Sequence, residues 1–272
     1  VGKILATTVW GASGSWTLVS LPLFIWMGEI LFRTRLSEHM FMGLAPWLNW
    51  LPGRLVHINI IGCGIFAAVS GSSSATCATI GKMSLPELQR LGYDERMSIG
   101  TLAGSGTLGI LIPPSIAMII YGVVAGVSVP RLFIAGILPG IVLMLMFMGY
   151  VVGWASLWPE KTPHTELKIT LAERFYRVRL LVPVILLIIA VLGSIYTGLA
   201  TATEAAAVGV AGALLLSGVS GTLTWENFAA SVMGAMRTSC MIGFIVTGAA
   251  FLSTATAVTG IPQLLATWVG SL

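Results

Sequence analysis

The sequence predicts an all-α polytopic membrane protein in which one helical hairpin enters and leaves the bilayer by the same face and one spanning helix is broken. Three observations carry this. Hydrophobic residues make up 56% of the chain and charged residues only 9%, with a mean hydropathy of +0.95. Charge-free windows run over 4–28, 55–81, 97–130, 132–159, 180–203, 205–225 and 238–272, each long enough to cross a hydrocarbon core that needs about 20 apolar residues. Two of them, 55–81 and 97–130, hold hydroxyls and glycines at their centres, the second with a pair of prolines, where a simple span would be uniformly apolar. Period-two alternation is absent, which excludes an outer-membrane barrel.

The net charge of +4 carries little weight, because in a membrane protein the placement of Lys and Arg matters more than their sum. It gives no reason to expect a nucleic-acid partner. Cys63, Cys77 and Cys240 lie in apolar windows without CxxC spacing, so we read them as small buried hydrophobes; a disulfide framework or metal site is not expected. The chain starts at Val1 without the charged start of a signal peptide and closes on an apolar run, and we read it as a fragment.

Residues 14–32 read as the first span. Arg33, Arg35, Glu38, His39, Trp47, Trp50 and Arg54 follow, a mixture of basic and indole groups that suits a helix lying in the interface. Pro46 and Pro52 are expected to segment it.

Ser70-Gly71-Ser72-Ser73-Ser74-Ala75-Thr76 occupies the middle of window 55–81. Serine side chains compete for local backbone groups, and Gly71 removes the steric bar to unwinding, so the helix is expected to break there. Arg33, Arg35 and Arg54 precede the window, and Lys82, Arg90 and Arg96 follow it. A single crossing would put one basic cluster outside, whereas a hairpin keeps both in the cytoplasm. Two arms of about 13 residues reach mid-membrane at 1.5 Å per residue, where irregular backbone is tolerated if protein covers it.

Window 97–130 carries Gly104-Ser105-Gly106-Thr107-Leu108-Gly109 and Pro113-Pro114-Ser115, which predicts a second break. A turn at 128–131 leads to a span over 132–157. The basic stretch 161–179, with Lys161, Lys168, Arg174, Arg177 and Arg179 against Glu166 and Glu173, is expected on the cytoplasmic side. Spans over 179–199, 203–220 and 236–258 follow. Residues 14–54 and 236–272 each read as a span plus an interfacial segment, in opposite orientations. This is the inverted-repeat design of secondary transporters, whose sites lie between discontinuous helices.

The run SGSSSATCATIGKMSLPELQRLGYDERMSIGTLAGSGTLGILIPPSIAMIIYGVVAGVSVPRLFIAGILPG (70–140), with TATEAAAV (201–208) and TGIPQLLA (259–266), closely resembles the large membrane subunit of TRAP (tripartite ATP-independent periplasmic) transporters, the DctM-like proteins. The resemblance implies an elevator-type carrier of the bacterial inner membrane. It also implies sodium as coupling ion with no other cofactor, a small four-helix membrane subunit and a periplasmic substrate-binding protein as partners, and an organic acid such as a C4-dicarboxylate or a sialic acid as substrate.

On that pattern, residues 1–55 form a scaffold span and arm helix, and 56–130 a transport domain with its hairpin at 56–92 and broken helix at 97–127. Residues 131–220 are spans around a cytoplasmic loop at 158–179, and 221–272 begin a second repeat cut before its own hairpin. Two departures stand out: the hairpin carries no aspartate after the serine motif, and the usual TPTEAAA is Thr201-Ala202-Thr203-Glu204 here.

Sodium takes oxygen ligands, and half-helix carbonyl ends face a cation favourably. The expected ion ligands are Ser70, Ser72, Ser73 and Thr107. Free amides at half-helix starts suit a carboxylate, with Ser74, Ala75, Thr76, Pro113 and Ser115 as the expected substrate set. Gly71, Gly104, Gly106, Gly109 and Pro114 are the hinge and backbone positions. The plainer reading is a helix-packing seam of small residues.

Glu204 fits a capping box with Thr201, and Glu29 pairs with Arg33 at helical spacing. His39, His57 and His164 fall near interfaces and carry no expected metal or catalytic role. Two other readings remain: a self-sufficient divalent-anion/sodium carrier, and an intramembrane serine hydrolase acting through Ser72, which needs a base within hydrogen-bond reach.

Overall fold

The computed structural model describes residues 2–14, 16–34, 36–163 and 170–271. Arg35, His164, Glu166 and Lys168, which enter the charge reading above, lie outside the described residues. The described chain is built of α-helices and short 3-10 turns, without a strand. In order they are α1 (Gly2–Ser13), α2 (Ser20–Phe32), α3 (Leu36–Leu48), α4 (His57–Ser70), α5 (Ser73–Arg90), α6 (Glu95–Gly106) and α7 (Leu108–Leu111). Then come α8 (Ile116–Ala125), α9 (Val129–Leu157), α10 (Leu171–Val178), α11 (Val182–Tyr196), α12 (Ala202–Val219), α13 (Trp225–Val258) and α14 (Ile261–Gly270). The stretch from α6 to α8, together with α9, α12 and α13, is long and apolar enough to cross a membrane.

Two sets of helices share α2 between them. On one side α2 packs against α12 and α13, and α12 against α11. Phe24, Met27 and Leu31 are buried there with Val191, Ala205, Ala206 and Val210. Gly209 and Gly212 let the helices close up, since a β-carbon at either would stand 2.5 Å from Met27 or Leu187 side-chain atoms. The other set gathers α5, α6, α7 and α9 around α4. Ile60, Cys63, Phe66 and Ala67 of α4 are wholly buried, as expected for a helix that is apolar on every side. Buried Asn59 pins α4 to α6, its amide donating to the Ser98 carbonyl at 3.0 Å and to Thr101 Oγ1 at 3.1 Å.

α4 and α5 fold back on each other about Gly71, so that Gly62 meets Ile80. The unwinding predicted over 70–76 is confined to Gly71 and Ser72, because Ser72 caps α5 and winds Ser73–Thr76 into its first turn. The second break is narrower too. Gly104, Gly106 and Gly109 sit within helical turns; Thr107 is a one-residue turn between α6 and α7, and the longer break runs from Ile112 to Ser115, at the cis Pro113–Pro114 bond.

Pro46 lies inside α3, so the segmentation falls at residues 49–53, around Pro52. The first charge-free window holds a separate helix, α1, which packs on α13. α13 starts at Trp225, well before the predicted 236, because Thr224 Oγ1 accepts the Asn227 amide and opens the helix there. The paired Glu29 and Arg33 lie 3.2 Å apart. Thr201 and Glu204 form the predicted capping box. Cys63 is buried, whereas Cys240 is exposed on α13 and does not fit the buried reading.

Candidate functional site

The two breaks meet. The Ile116 amide, first of α8, donates to the Gly71 carbonyl at 3.1 Å, which ties the corner of the α4–α5 pair to the gap between α7 and α8. Gly71 takes φ +62°, open to glycine at little cost, and a β-carbon there would stand 2.5 Å from the Pro114 carbonyl oxygen. Gly109 brings α7 onto the same corner, where a β-carbon would lie 2.7 Å from the Ser72 carbonyl carbon and 2.8 Å from the Ser73 nitrogen. Gly106 faces the Cys77 β-carbon at 3.0 Å in the same sense. The crossing therefore brings together two helix C-termini, of α4 and α7, and two N-termini, of α5 and α8.

Backbone groups decide what such a junction can bind. Ser72 Oγ accepts the Ala75 amide at 3.4 Å, and the Ser72 carbonyl accepts the Thr76 amide at 3.0 Å. The Ser73 and Ser74 amides at the start of α5 have no helical acceptor, and neither do the Ala117 and Met118 amides of α8. Each N-terminus presents partial positive charge, and each C-terminus unfilled carbonyls with partial negative charge. The junction thus offers N–H groups to an anion and carbonyl oxygens to a cation within one crossing.

The predicted ion ligands divide. Ser70 is buried, its Oγ 2.8 Å from Thr76 Oγ1 and 3.3 Å from the Ser72 carbonyl. Ser73 Oγ is buried with no hydrogen-bond partner. Ser72 Oγ turns the other way, 3.1 Å from Ser74 Oγ. Thr107 is exposed, and its hydroxyl donates back to the Gly104 carbonyl at 2.6 Å, off the packed face.

Of the substrate set, Ser74 and Ala75 line a cleft of ≈ 310 Å³ with Ser72 and Ile116. Thr76 is buried against Ser70. Pro113, Pro114 and Ser115 are buried, and the Ser115 hydroxyl donates to the Ile110 carbonyl. Among the described residues, Ser72 Oγ is hydrogen-bonded to Ser74 Oγ and the Ala75 amide and to no base, so the geometry shows no activated nucleophile there.

Sequence reasoning missed the far wall of this cleft: Ile25, Gly28, Glu29 and Phe32 of α2, and Thr238 of α13. Gly28 carries the contact, since a β-carbon there would sit 3.0 Å from Ser70 Cα. Glu29 is the acid at the cleft; it is held by Arg33, which also donates to the Ala230 carbonyl of α13 at 3.2 Å. The only local signal was the Glu29–Arg33 spacing, and it points to an ion pair, with nothing to place that pair beside the serines.

The family model for the DctM component of tripartite ATP-independent periplasmic transporters matches residues 1–272. The C4-dicarboxylate TRAP transporter large permease protein DctM of Pseudomonas aeruginosa is 32% identical over 99% of this chain and 63% of its own length. The ectoine TRAP transporter large permease protein TeaC of Halomonas elongata is 36% identical over 74% of the chain and 46% of its own length. The sialic acid TRAP transporter large permease protein SiaM of Vibrio cholerae is 31% identical over 94% and 60%. The chain thus spans roughly half to two thirds of the length of these relatives. With this match over its whole length, the chain belongs to the DctM family of TRAP large permease subunits, which are multi-pass transport proteins of the bacterial inner membrane and not enzymes.

Proposed function

We propose that the crossing of α4–α5 with α7–α8 is one half of a sodium and organic-acid site. In this reading, a transporter fed by a periplasmic binding protein and assembled with a small four-helix membrane subunit moves that site across the membrane. The observation that carries the reading is the buried Ser73 hydroxyl without a partner, in the first turn of α5 where α7 closes on the Gly71–Ser72 corner. A buried polar group left unmade costs about 1–3 kcal/mol, and a bound cation supplies the missing partner. The start of α5, where Ser72, Ser74 and Ala75 line the cleft and the first-turn amides lack helical acceptors, suits a carboxylate. C4-dicarboxylate, ectoine and sialic acid, named for the relatives, each carry one.

In the proposed motion, the α4–α5 hairpin and the broken α6–α8 helix slide against α2, where Gly28 keeps the contact with Ser70 small. The alternative is a carrier that needs no binding protein. Uptake of labelled C4-dicarboxylate, sialic acid and ectoine into proteoliposomes of the complete transporter separates the readings. Uptake is expected to require both an inward sodium gradient and the binding protein. Uptake indifferent to sodium sinks the coupling, and uptake without the binding protein favours the alternative.

A further inference from the structure

Away from the crossing, α6 and α9 part below the point where Gly104 meets the Phe147 ring, and they leave a groove of ≈ 600 Å³. One wall is a single face of α9 that runs through Leu143, Phe147, Tyr150 and Trp154 at helical spacing. The eleven steps from Leu143 to Trp154 rise about 16 Å, roughly half of a 30 Å hydrocarbon core. The groove is therefore about one leaflet deep.

The opposite wall opens at Gly100, where a β-carbon would meet nothing within 4 Å. Met146 and Tyr150 stand at the rim, 65% and 64% exposed. At the mouth the chemistry changes. Lys161 Nζ sits 5.8 Å from the Trp154 ring centroid and 3.9 Å from Asp94 Oδ2. Arg96 lines the same mouth, exposed and with no ion pair among the described residues. Of the three charged residues that line the groove two are cations, and the exposed acids Glu95 and Glu160, their neighbours in sequence, do not line it. Tyr and Trp beside basic residues at the end of a membrane helix mark the headgroup level. An apolar slot one leaflet deep, with surplus positive charge at its headgroup end, matches an amphiphile with an anionic head and matches neither a free anion nor a neutral chain.

We propose that this groove binds an anionic phospholipid, with an acyl chain laid along α9 past Gly100 and its phosphate between Arg96 and Lys161. The inference does not depend on what the crossing carries. The bound lipid would brace α6, the helix whose far end sets Gly106 against the hairpin.

The test uses the complete permease, purified and delipidated in mild detergent, with binding read by native mass spectrometry and by thermal unfolding. Phosphatidylglycerol is expected to bind and stabilise, while phosphatidylcholine of the same chains binds at least about fivefold more weakly. Removing each cation, in Arg96→Gln and Lys161→Gln, should weaken phosphatidylglycerol about fivefold. Gly100→Leu fills the slot and should abolish the difference between the lipids, whereas Gly100→Ala, too small to fill it, should leave binding intact. If Gly100→Leu does not fold, the Arg96→Gln and Gly100→Ala pair still decides.

Equal binding of the two lipids overturns the proposal by making this an ordinary lipid-facing surface. Glycerol 3-phosphate that displaces phosphatidylglycerol or stabilises alone overturns it in favour of a small-anion site. So does a co-purified polypeptide whose retention, in place of lipid retention, depends on Gly100.

Discussion

A β-carbon on Gly109 would collide with backbone, the Ser72 carbonyl and the Ser73 nitrogen, and not with the free end of a side chain. Gly109→Ala must therefore push the Gly71–Ser72 corner off α7. Overpacking of that kind costs about 1–3 kcal/mol, so the variant is expected to unfold at lower temperature and to lose uptake. Gly100→Ala, with open space around it, should do neither; if both variants keep full uptake, the close approach at Gly109 is dispensable. Ser73 and Ser70 separate ion binding from packing. With Oγ unpartnered, Ser73→Ala removes no hydrogen bond, and in sodium-free buffer it should match or exceed the parent in thermal stability. Added sodium should then stabilise the parent and leave Ser73→Ala unmoved. Ser70→Ala loses the bond to Thr76, a cost of about 1 kcal/mol that should appear at every sodium concentration. Sodium stabilisation of Ser73→Ala equal to that of the parent removes Ser73 from the ion site.

Helix ends set the elements in place, and α12 offers the cleanest measurement of one. The Thr201 hydroxyl accepts the Glu204 amide at 3.3 Å, while Glu204 Oε2 accepts the Thr201 amide at 2.8 Å. Thr201→Ala should lower stability by about 1 kcal/mol and Thr201→Ser by much less, as read from detergent-solubilised unfolding curves; an equal loss for both would point away from the cap. This box was legible in the sequence because a cap is local, needing only the right residue types three positions apart. The spans and the existence of both breaks were legible for the same reason. The roles of the glycines were not. Gly71 supplies a positive φ, whereas Gly109 makes room for a neighbouring backbone and Gly106 for the Cys77 β-carbon, and a sequence writes all three as the same letter. The start of α13 was misplaced because Arg237 cut the apolar window, although a long helix tolerates one charge and its boundary lies at the Thr224 cap. The Glu29 and Thr238 wall of the cleft comes from segments remote in the chain, and only packing brings it to Ser72 and Ser74.

At the scale of the molecule, the basic loops and the helix count constrain the path through the membrane together. If the α4–α5 pair returns to the face it left, then Trp50, Arg90 and Lys161 share one side, and the turn after α11 lies on the other. Exposed positions make this testable with introduced cysteines: Trp50 is 76% exposed and Leu199 84%, and the Arg90 side chain is 71% exposed. The background needs Cys240 replaced by Ser, since Cys240 is exposed while Cys63 is buried; the parent without an added cysteine controls for Cys77. On intact spheroplasts a membrane-impermeant maleimide should label Leu199→Cys but not Trp50→Cys, Arg90→Cys or Lys161→Cys, and lysis should open all three to reaction. Labelling of Arg90→Cys in intact cells, with Trp50→Cys still protected, would mean that α4 and α5 cross the bilayer. The crossing at Gly71 would then be an interhelical seam of a spanning pair, and the proposed re-entrant half-site would fall with it.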